Sequence, residues 1–401
     1  MLADLDRLIA ERGIGAIVVP MHELPHASFR WLSRGAKVTR GFAVRAAGKT
    51  ILYHDPMERD EAAASGLAVR SLDDVGRSSI FATETRAGAA WARLIDAILA
   101  DAGAPAGAVA LAGAVPFPLY LRVAAELAQR GRALWEGEED LIQLARKRKE
   151  RWELDRIASV AARTEQVLDG LRAILRSARL EGGIAYRDDE PLTIGALKDF
   201  ITAEIHRLGM IEDHETIVSQ GRDAGVPHAR GDRQAPLAAS SPLVVDIFPA
   251  DRASGYFIDI TRTFCVGPVP ADLASAHAEV LEALETTAAA MRAGEPASRY
   301  QALVCDYFEA RGHRTTRSHP GTTAGYVHGL GHGVGLEVHE RPSFALTPAN
   351  RDLVEVGDVL TIEPGLYYPD RALGVRIEDT FWIGEDGRPV SFCAGSRALE
   401  P

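Results

Sequence analysis

Apolar residues recur in this chain with two periods. In LDRLIAER, near the N-terminus, Leu5, Leu8 and Ile9 fall on one helical face, and the run AIVV that follows reads as a buried strand. FAVRA and TILYH, on either side of Gly48, read as two short strands. Helical patterns over 87–101 and 117–129 then flank the apolar run AVALAG. Interleaved strands and helices of this kind predict a small α/β unit.

Farther along, one order of elements occurs twice. Helical patterns over 151–179 and 191–208 precede strand-like runs near 242–266, and helical patterns over 271–292 and 298–311 precede strand-like runs at 357–364 and 374–383. The second half therefore reads as a duplicated helix, helix, hairpin unit, a kind of repeat that places a site between its halves. Between the two regions, EGEEDLIQLARKRKERWELDR is the densest charge run, acids first and bases after. It is expected to be a solvated helix linking two domains. A boundary near 145 gives domains of 1–145 and 146–401, which suits a chain of 401 residues.

Composition narrows the function. A net charge of -11 argues against nucleic acid as a partner, since that needs a basic face. The N-terminus carries Asp4, Asp6 and Glu11 where a signal peptide needs an apolar core, and no stretch supplies the roughly 20 apolar residues of a membrane span. A cytoplasmic protein with no membrane partner is expected. Cys265, Cys305 and Cys393 are odd in number and far apart, which suits reduced thiols used as core filler.

The chemistry lies in the hairpins. PLVVDIFPADRASGYFIDITRTFCV is two β-rich runs around a turn-forming centre. With the turn centred on Arg252 and Ala253, Asp246 faces Asp259. In GDVLTIEPGLYYPDRALGVRIEDTFWI a turn centred on Asp370 and Arg371 sets Glu363 opposite Glu378, with Arg376 two residues earlier. Like charges directly opposed on a sheet are destabilising, so two such pairs in equivalent places point to bound cations. Two divalent ions balance four carboxylates, and an added histidine makes a mixed, oxygen-rich site of the kind found in two-metal hydrolases. Manganese, cobalt, iron and zinc all suit it, manganese first, and a bridging hydroxide is the expected nucleophile.

Between the hairpins lies GHGVGLEVHE, where His339-Glu340 is followed by Arg341, Pro342 and Ser343, so the H-E-x-x-H zinc motif is absent. With Asp246, GYFIDITRTF, GHGVGLEVHE, TIEPG and VRIED in this order, the chain resembles the metallopeptidase family of aminopeptidase P and prolidase. The resemblance implies a C-terminal pita-bread catalytic domain of pseudo-twofold halves, preceded by a smaller, creatinase-like α/β domain. It implies that Asp246 chelates one metal, that Asp259 and Glu378 bridge two, and that His332 and Glu363 complete the other. Glu363 is also the implied proton shuttle. His339 resembles the histidine that meets the scissile amide, His228 in GVPHARGD an outlying active-site histidine, and Arg376 an arginine bracing the bridging glutamate; His328 is a further pocket candidate. Gly331 and Gly333 are expected to let the backbone beside His332 approach the metals, and Glu340 to be support or packing. One departure is that Asp246 and Asp259 are thirteen apart where the family commonly has eleven, an insertion that keeps both on one face.

The implied function is a dinuclear metal-dependent exopeptidase acting on Xaa-Pro peptides or dipeptides, as a homodimer. A broader aminopeptidase of the same family is the alternative. A metal-free creatinase-like hydrolase or a binding module would be expected to lack metal ligands, and here all five positions are occupied by ligand-capable residues.

Overall fold

A computed structural model describes residues 2–22 and 26–401. The chain forms two compact units, 1–146 and 147–401. In the first, β1 (Ile14–His22), β2 (Arg40–Ala46), β3 (Lys49–His54), β4 (Ala68–Ser71) and β5 (Ala108–Leu111) make one sheet in the order β4-β3-β2-β1-β5. Its helices are α1 (Leu2–Glu11), α2 (Ala27–Leu32), α3 (Arg59–Ala63), α4 (Arg77–Thr83), α5 (Ala87–Asp101), α6 (Phe117–Gln129) and α7 (Leu141–Arg146). Alternation in β1 decides which face meets which helices. Ala16 and Val18 pack with Leu94, Ile98 and Leu127 of α5 and α6, whereas Ile17 and Val19 pack with Leu5, Phe29 and Ile142 of α1, α2 and α7. A sheet covered on both sides follows, as the interleaved pattern predicts.

In the second unit α8 (Arg151–Ser177) opens on a reciprocal capping box between Glu150 and Glu153. A small meander of β6 (Arg179–Glu181), β7 (Ile184–Arg187) and β8 (Glu190–Pro191) leads to α9 (Ile194–Arg207), capped by the Thr193 side chain. Then come β9 (Met210–Ile211), β10 (Ile217–Gln220), β11 (Leu243–Ile247), β12 (Ala250–Asp251) and β13 (Ile260–Phe264), with β10-β11-β13 forming an antiparallel sheet. The second pass begins with α10 (Ala271–Ala290) and α11 (Ala297–Glu309). It continues through β14 (His332–Gly333), β15 (Glu340–Ser343), β16 (Val359–Ile362), β17 (Gly365–Tyr368), β18 (Leu373–Arg376), β19 (Asp379–Ile383) and β20 (Pro389–Ser391). Val280, Leu284, Val304 and Phe308 of α10 and α11 bury against Leu360, Ile362, Val375 and Phe381 of these strands. An antiparallel bridge between Thr261 and Glu378 joins the two passes.

Register confirms one hairpin and corrects the other. Gly365 pairs with Arg376 and Ile362 with Asp379, so Glu363 and Glu378 are opposed as expected. In the first hairpin Asp246 pairs with Thr261, not with Asp259. The turn closes one position later because the Asp251 carboxylate accepts both the N–H and the hydroxyl of Ser254, at 2.7 Å each. The slip amounts to two residues, so Asp259 stays on the face of Asp246 but lies diagonal to it.

The charge run is not one solvated helix. Between α7 and α8 the chain is extended, Arg148 bridges Asp358, and Arg146, Lys147 and Lys149 are buried. Lys147 Nζ lies 3.3 Å from an Asp358 carboxylate oxygen, and Lys149 Nζ donates to Glu340 Oε1 at 2.5 Å, both of the latter side chains almost fully buried. Burial with a partner in place overrode the solvated reading. Removing one member of a buried pair strands the other charge, so Lys149→Ala is expected to cost about 3–5 kcal/mol in urea unfolding, with Lys149→Met/Glu340→Leu recovering most of it.

Candidate metal centre

The centre lies where the two passes meet. Asp246 projects from β11, and its neighbour across the ladder, Thr261, donates its hydroxyl to Glu378 Oε2 at 2.7 Å while its backbone pairs with that of Glu378. Thr261 Oγ1 also accepts from Arg376 Nε at 3.1 Å. Arg376 then donates to Asp246 Oδ2 at 2.5 Å and to the Tyr367 hydroxyl at 3.0 Å. Its direct carboxylate partner is thus Asp246, and it reaches Glu378 only through Thr261, which corrects the expected contact. Arg376 extends across the sheet from β18 and spans both passes.

His332 is the first residue of β14, which pairs with β15 on one side and β16 on the other. Its Nε2 lies 3.6 Å from Asp259 Oδ2 and 3.4 Å from Glu363 Oε1. Asp259, His332 and Glu378 offer ligand atoms all within 4.8 Å of one another. The glycines around His332 answer to the neighbouring backbone: a Cβ on Gly331 would overlap the Thr361 carbonyl oxygen and one on Gly333 that of Arg341. Their close approach is to adjoining strands and not to the carboxylates.

The remaining histidines form the rim. His339 is exposed, and its ring meets that of His332 edge-on with centroids 4.2 Å apart. His328 holds the Tyr367 hydroxyl at 2.9 Å and lies 3.9 Å from Glu363 Oε2. His228 is exposed beside Pro227, whose carbonyl accepts from Arg376. Burial pushes both His328 and His332 down to about 3, with the Arg376 charge adding to the effect on the first and His339 on the second. His339 is also lowered, by partial desolvation against an opposing pull from Asp246. The three imidazoles are neutral at pH 7, the form that ligates a metal or accepts a proton.

The acids behave in the opposite sense. Burial raises Asp259, and Glu378, Asp246 and Glu363 raise it further. Burial and then Glu378 raise Glu363. Asp246 Oδ1, Asp259 Oδ1 and Glu378 Oε1 are buried without a hydrogen-bond donor. Buried polar atoms are nearly always satisfied, so three orphaned carboxylate oxygens on residues of this centre fit a site for cations. One arginine against four carboxylates leaves negative charge for bound cations to balance.

Residues 155–385 match the model of metallopeptidase family M24. The chain belongs to that family. It is 31% identical over 250 residues to the probable dipeptidase PepE of Mycobacterium tuberculosis, a match spanning 62% of this chain and 59% of PepE. It is 30% identical over 204 residues to the Xaa-Pro dipeptidase of Pyrococcus furiosus, covering 49% of this chain and 54% of that enzyme. Among solved structures, an Xaa-Pro dipeptidase from Bacillus anthracis superposes with a TM-score of 0.77 at 19% identity, covering 100% of this chain and 98% of its own. An X-Pro aminopeptidase from Thermotoga maritima gives 0.74 at 20%, covering 100% and 99%. At such identities the likeness is one of fold, and it bears out the expected pita-bread architecture with the first unit included.

Members of this site that the motifs did not flag are Thr261, Thr361 and Tyr367. Thr361 Oγ1 accepts the His332 N–H at 3.1 Å. Each threonine lies two residues from an acid on the same strand face, Thr261 after Asp259 and Thr361 before Glu363, so alternation was the signal available. Tyr367, fully buried and pushed up to about 12 chiefly by that burial, carried none. Glu378 carries a pH prediction. Its ordinary value is 4.5, and burial with Asp246 lifts it to about 8 in the metal-free fold. Folding takes up a proton between these values, so this contribution to stability is full below about pH 4.5 and is lost as pH rises through about 8. In chelator the unfolding temperature should fall over this window, Glu378→Gln should flatten the fall, and added manganese at the alkaline end should restore it.

Proposed function

We propose that this chain is a dinuclear metal-dependent exopeptidase with a preference for Xaa-Pro substrates. The observation that carries the reading is the set of orphaned oxygens on Asp246, Asp259 and Glu378 beside the neutral His332. Asp246, Asp259, His332, Glu363 and Glu378 would hold two divalent ions, with manganese the first choice and zinc, cobalt or iron also suited to these donors. Bound there, the ions would polarise the scissile carbonyl and activate water for attack on the amide.

The chain's own groups supply the rest. Glu363, with a raised proton affinity and only partly buried, is suited to take a proton from the attacking water and pass it to the departing amine. His339 presents a neutral imidazole at the open side, where it would hydrogen-bond the substrate amide, and His228 stands near it. Arg376 and Tyr367 hold Asp246 and His328 in place. We take the first unit to be a creatinase-type domain and the protein to act in the cytoplasm as a homodimer, as the family resemblance implies.

The dipeptidase names of the two relatives support dipeptides as substrates. The longer turn between Asp246 and Asp259 favours keeping a broader aminopeptidase as the second reading. Hydrolysis of Ala-Pro, Ala-Pro-Ala and Ala-Ala-Ala separates these: Ala-Pro cleaved fastest is the expected result, and Xaa-Pro substrates left intact by metal-loaded protein would sink the proposal. Asp259→Asn and His332→Ala should each lower metal occupancy. His339→Ala should retain the metal yet slow turnover by roughly 100-fold, the usual worth of one group that stabilises the transition state; equal metal loss in both histidine variants contradicts these roles.

A further inference from the structure

The first unit contains a cavity of about 950 Å³ that the chemistry above does not use. The sheet explains where it lies. β1, β3, β4 and β5 run in one direction with β2 opposed, and Met21, Asp55, Leu72 and Leu111, at or just beyond the carboxyl ends of those four strands, all line it. In open α/β sheets the connections diverge at this end, and the crevice left between them is where ligands bind. The volume lies within the range of about 300–1,000 Å³ typical of small-molecule sites.

The lining has a definite chemistry. Trp91 packs against Phe42 at 6.0 Å and edge-on against Phe81 at 5.0 Å. Phe81 is 40% exposed and Met57, also in the lining, 80% exposed, so a sizeable apolar surface faces the crevice and solvent together. Charged lining residues are Arg40, Asp55 and Arg77. Arg77 donates to Asp55 Oδ2 at 2.6 Å, and Asp55 Oδ1 accepts the Met57 N–H, so these two neutralise each other. Arg40 is exposed, and its guanidinium has no hydrogen-bonded or ion-paired partner among the described residues. The Arg40 charge also acts on Asp55 from a distance, yet two arginines against one aspartate leave the edge of this aromatic crevice with one net positive charge.

We propose that this crevice binds a small free organic acid, its apolar body against Trp91 and Phe81 and its single carboxylate paired with Arg40. A peptide terminus carries the same anion, but the mostly apolar lining side chains would leave its amides unpaired, which is costly. The site is independent of the metal centre and of the reaction proposed for it.

Titration calorimetry of the full-length, metal-loaded protein with decanoate tests this. Saturable one-to-one binding is expected, weakened at least about tenfold by Arg40→Met and equally weaker for 1-decanol, the worth of one charge-assisted hydrogen bond. Ala114→Trp, at an exposed lining position, should fill the crevice and abolish binding with the fold intact. Asp259→Asn should leave decanoate binding unchanged, which separates the crevice from carboxylate capture at the metals. The proposal is overturned by any of these: no saturable binding, equal affinity for decanol, indifference to both crevice variants, loss with Asp259→Asn, or tighter binding of an apolar peptide than of the free acid.

Discussion

Four carboxylates drawn into one buried place, with a single arginine among them, is the constraint around which the second unit is organised. Asp246, Asp259 and Glu378 are nearly inaccessible to water, and Arg376 satisfies only one of them directly. Water cannot solvate the remaining charge, and no further cation contacts these acids among the described residues, so the metal-free centre holds protons that ordinary carboxylates release. The Thr261 hydroxyl limits the cost at Glu378, and the Tyr367 hydroxyl links Arg376 to His328. A site assembled this way is stabilised by what it binds, so metal affinity and folding are coupled in one free energy.

The same burial sorts the histidines. His332 and His328 lose their charge because desolvation opposes it, with the Arg376 charge adding to the effect on His328, which leaves nitrogen lone pairs available beside the carboxylates. His339 stays at the exposed side. Farther out, Lys149 and Glu340 form a buried pair at the base of the strand that follows His339, so Glu340 anchors that strand. Ionic groups thus do two jobs in this unit: balanced pairs secure the frame, and an unbalanced cluster awaits cations.

The two units differ in how their sheets are built. Mixed strands with helices on both faces in the first leave a crevice at the carboxyl ends, whereas the second brings two antiparallel passes together so that paired strands carry acids toward each other. Duplication accounts for the second arrangement, since each pass presents one hairpin and neither alone assembles the centre.

Much of this was written in local pattern. The long helices follow from their apolar periodicity, and the opposition of Glu363 and Glu378 follows from a turn whose centre the residues Tyr-Pro-Asp-Arg disclose. The ligand-capable residues were legible because acids gathered on one strand face repel each other unless a cation lies between them. The tertiary structure decided what depends on distant partners. Thr261 with Arg376 determined which acid the arginine holds, and Asp358 and Glu340 drew two lysines of an apparently solvated run into the interior, whereas the shift of the first turn came from a local contact, Asp251 with Ser254, that strand alternation does not report. Periodicity reports which face a residue occupies, because that is a property of the local backbone; which charge waits on that face is set by residues a hundred or more positions away.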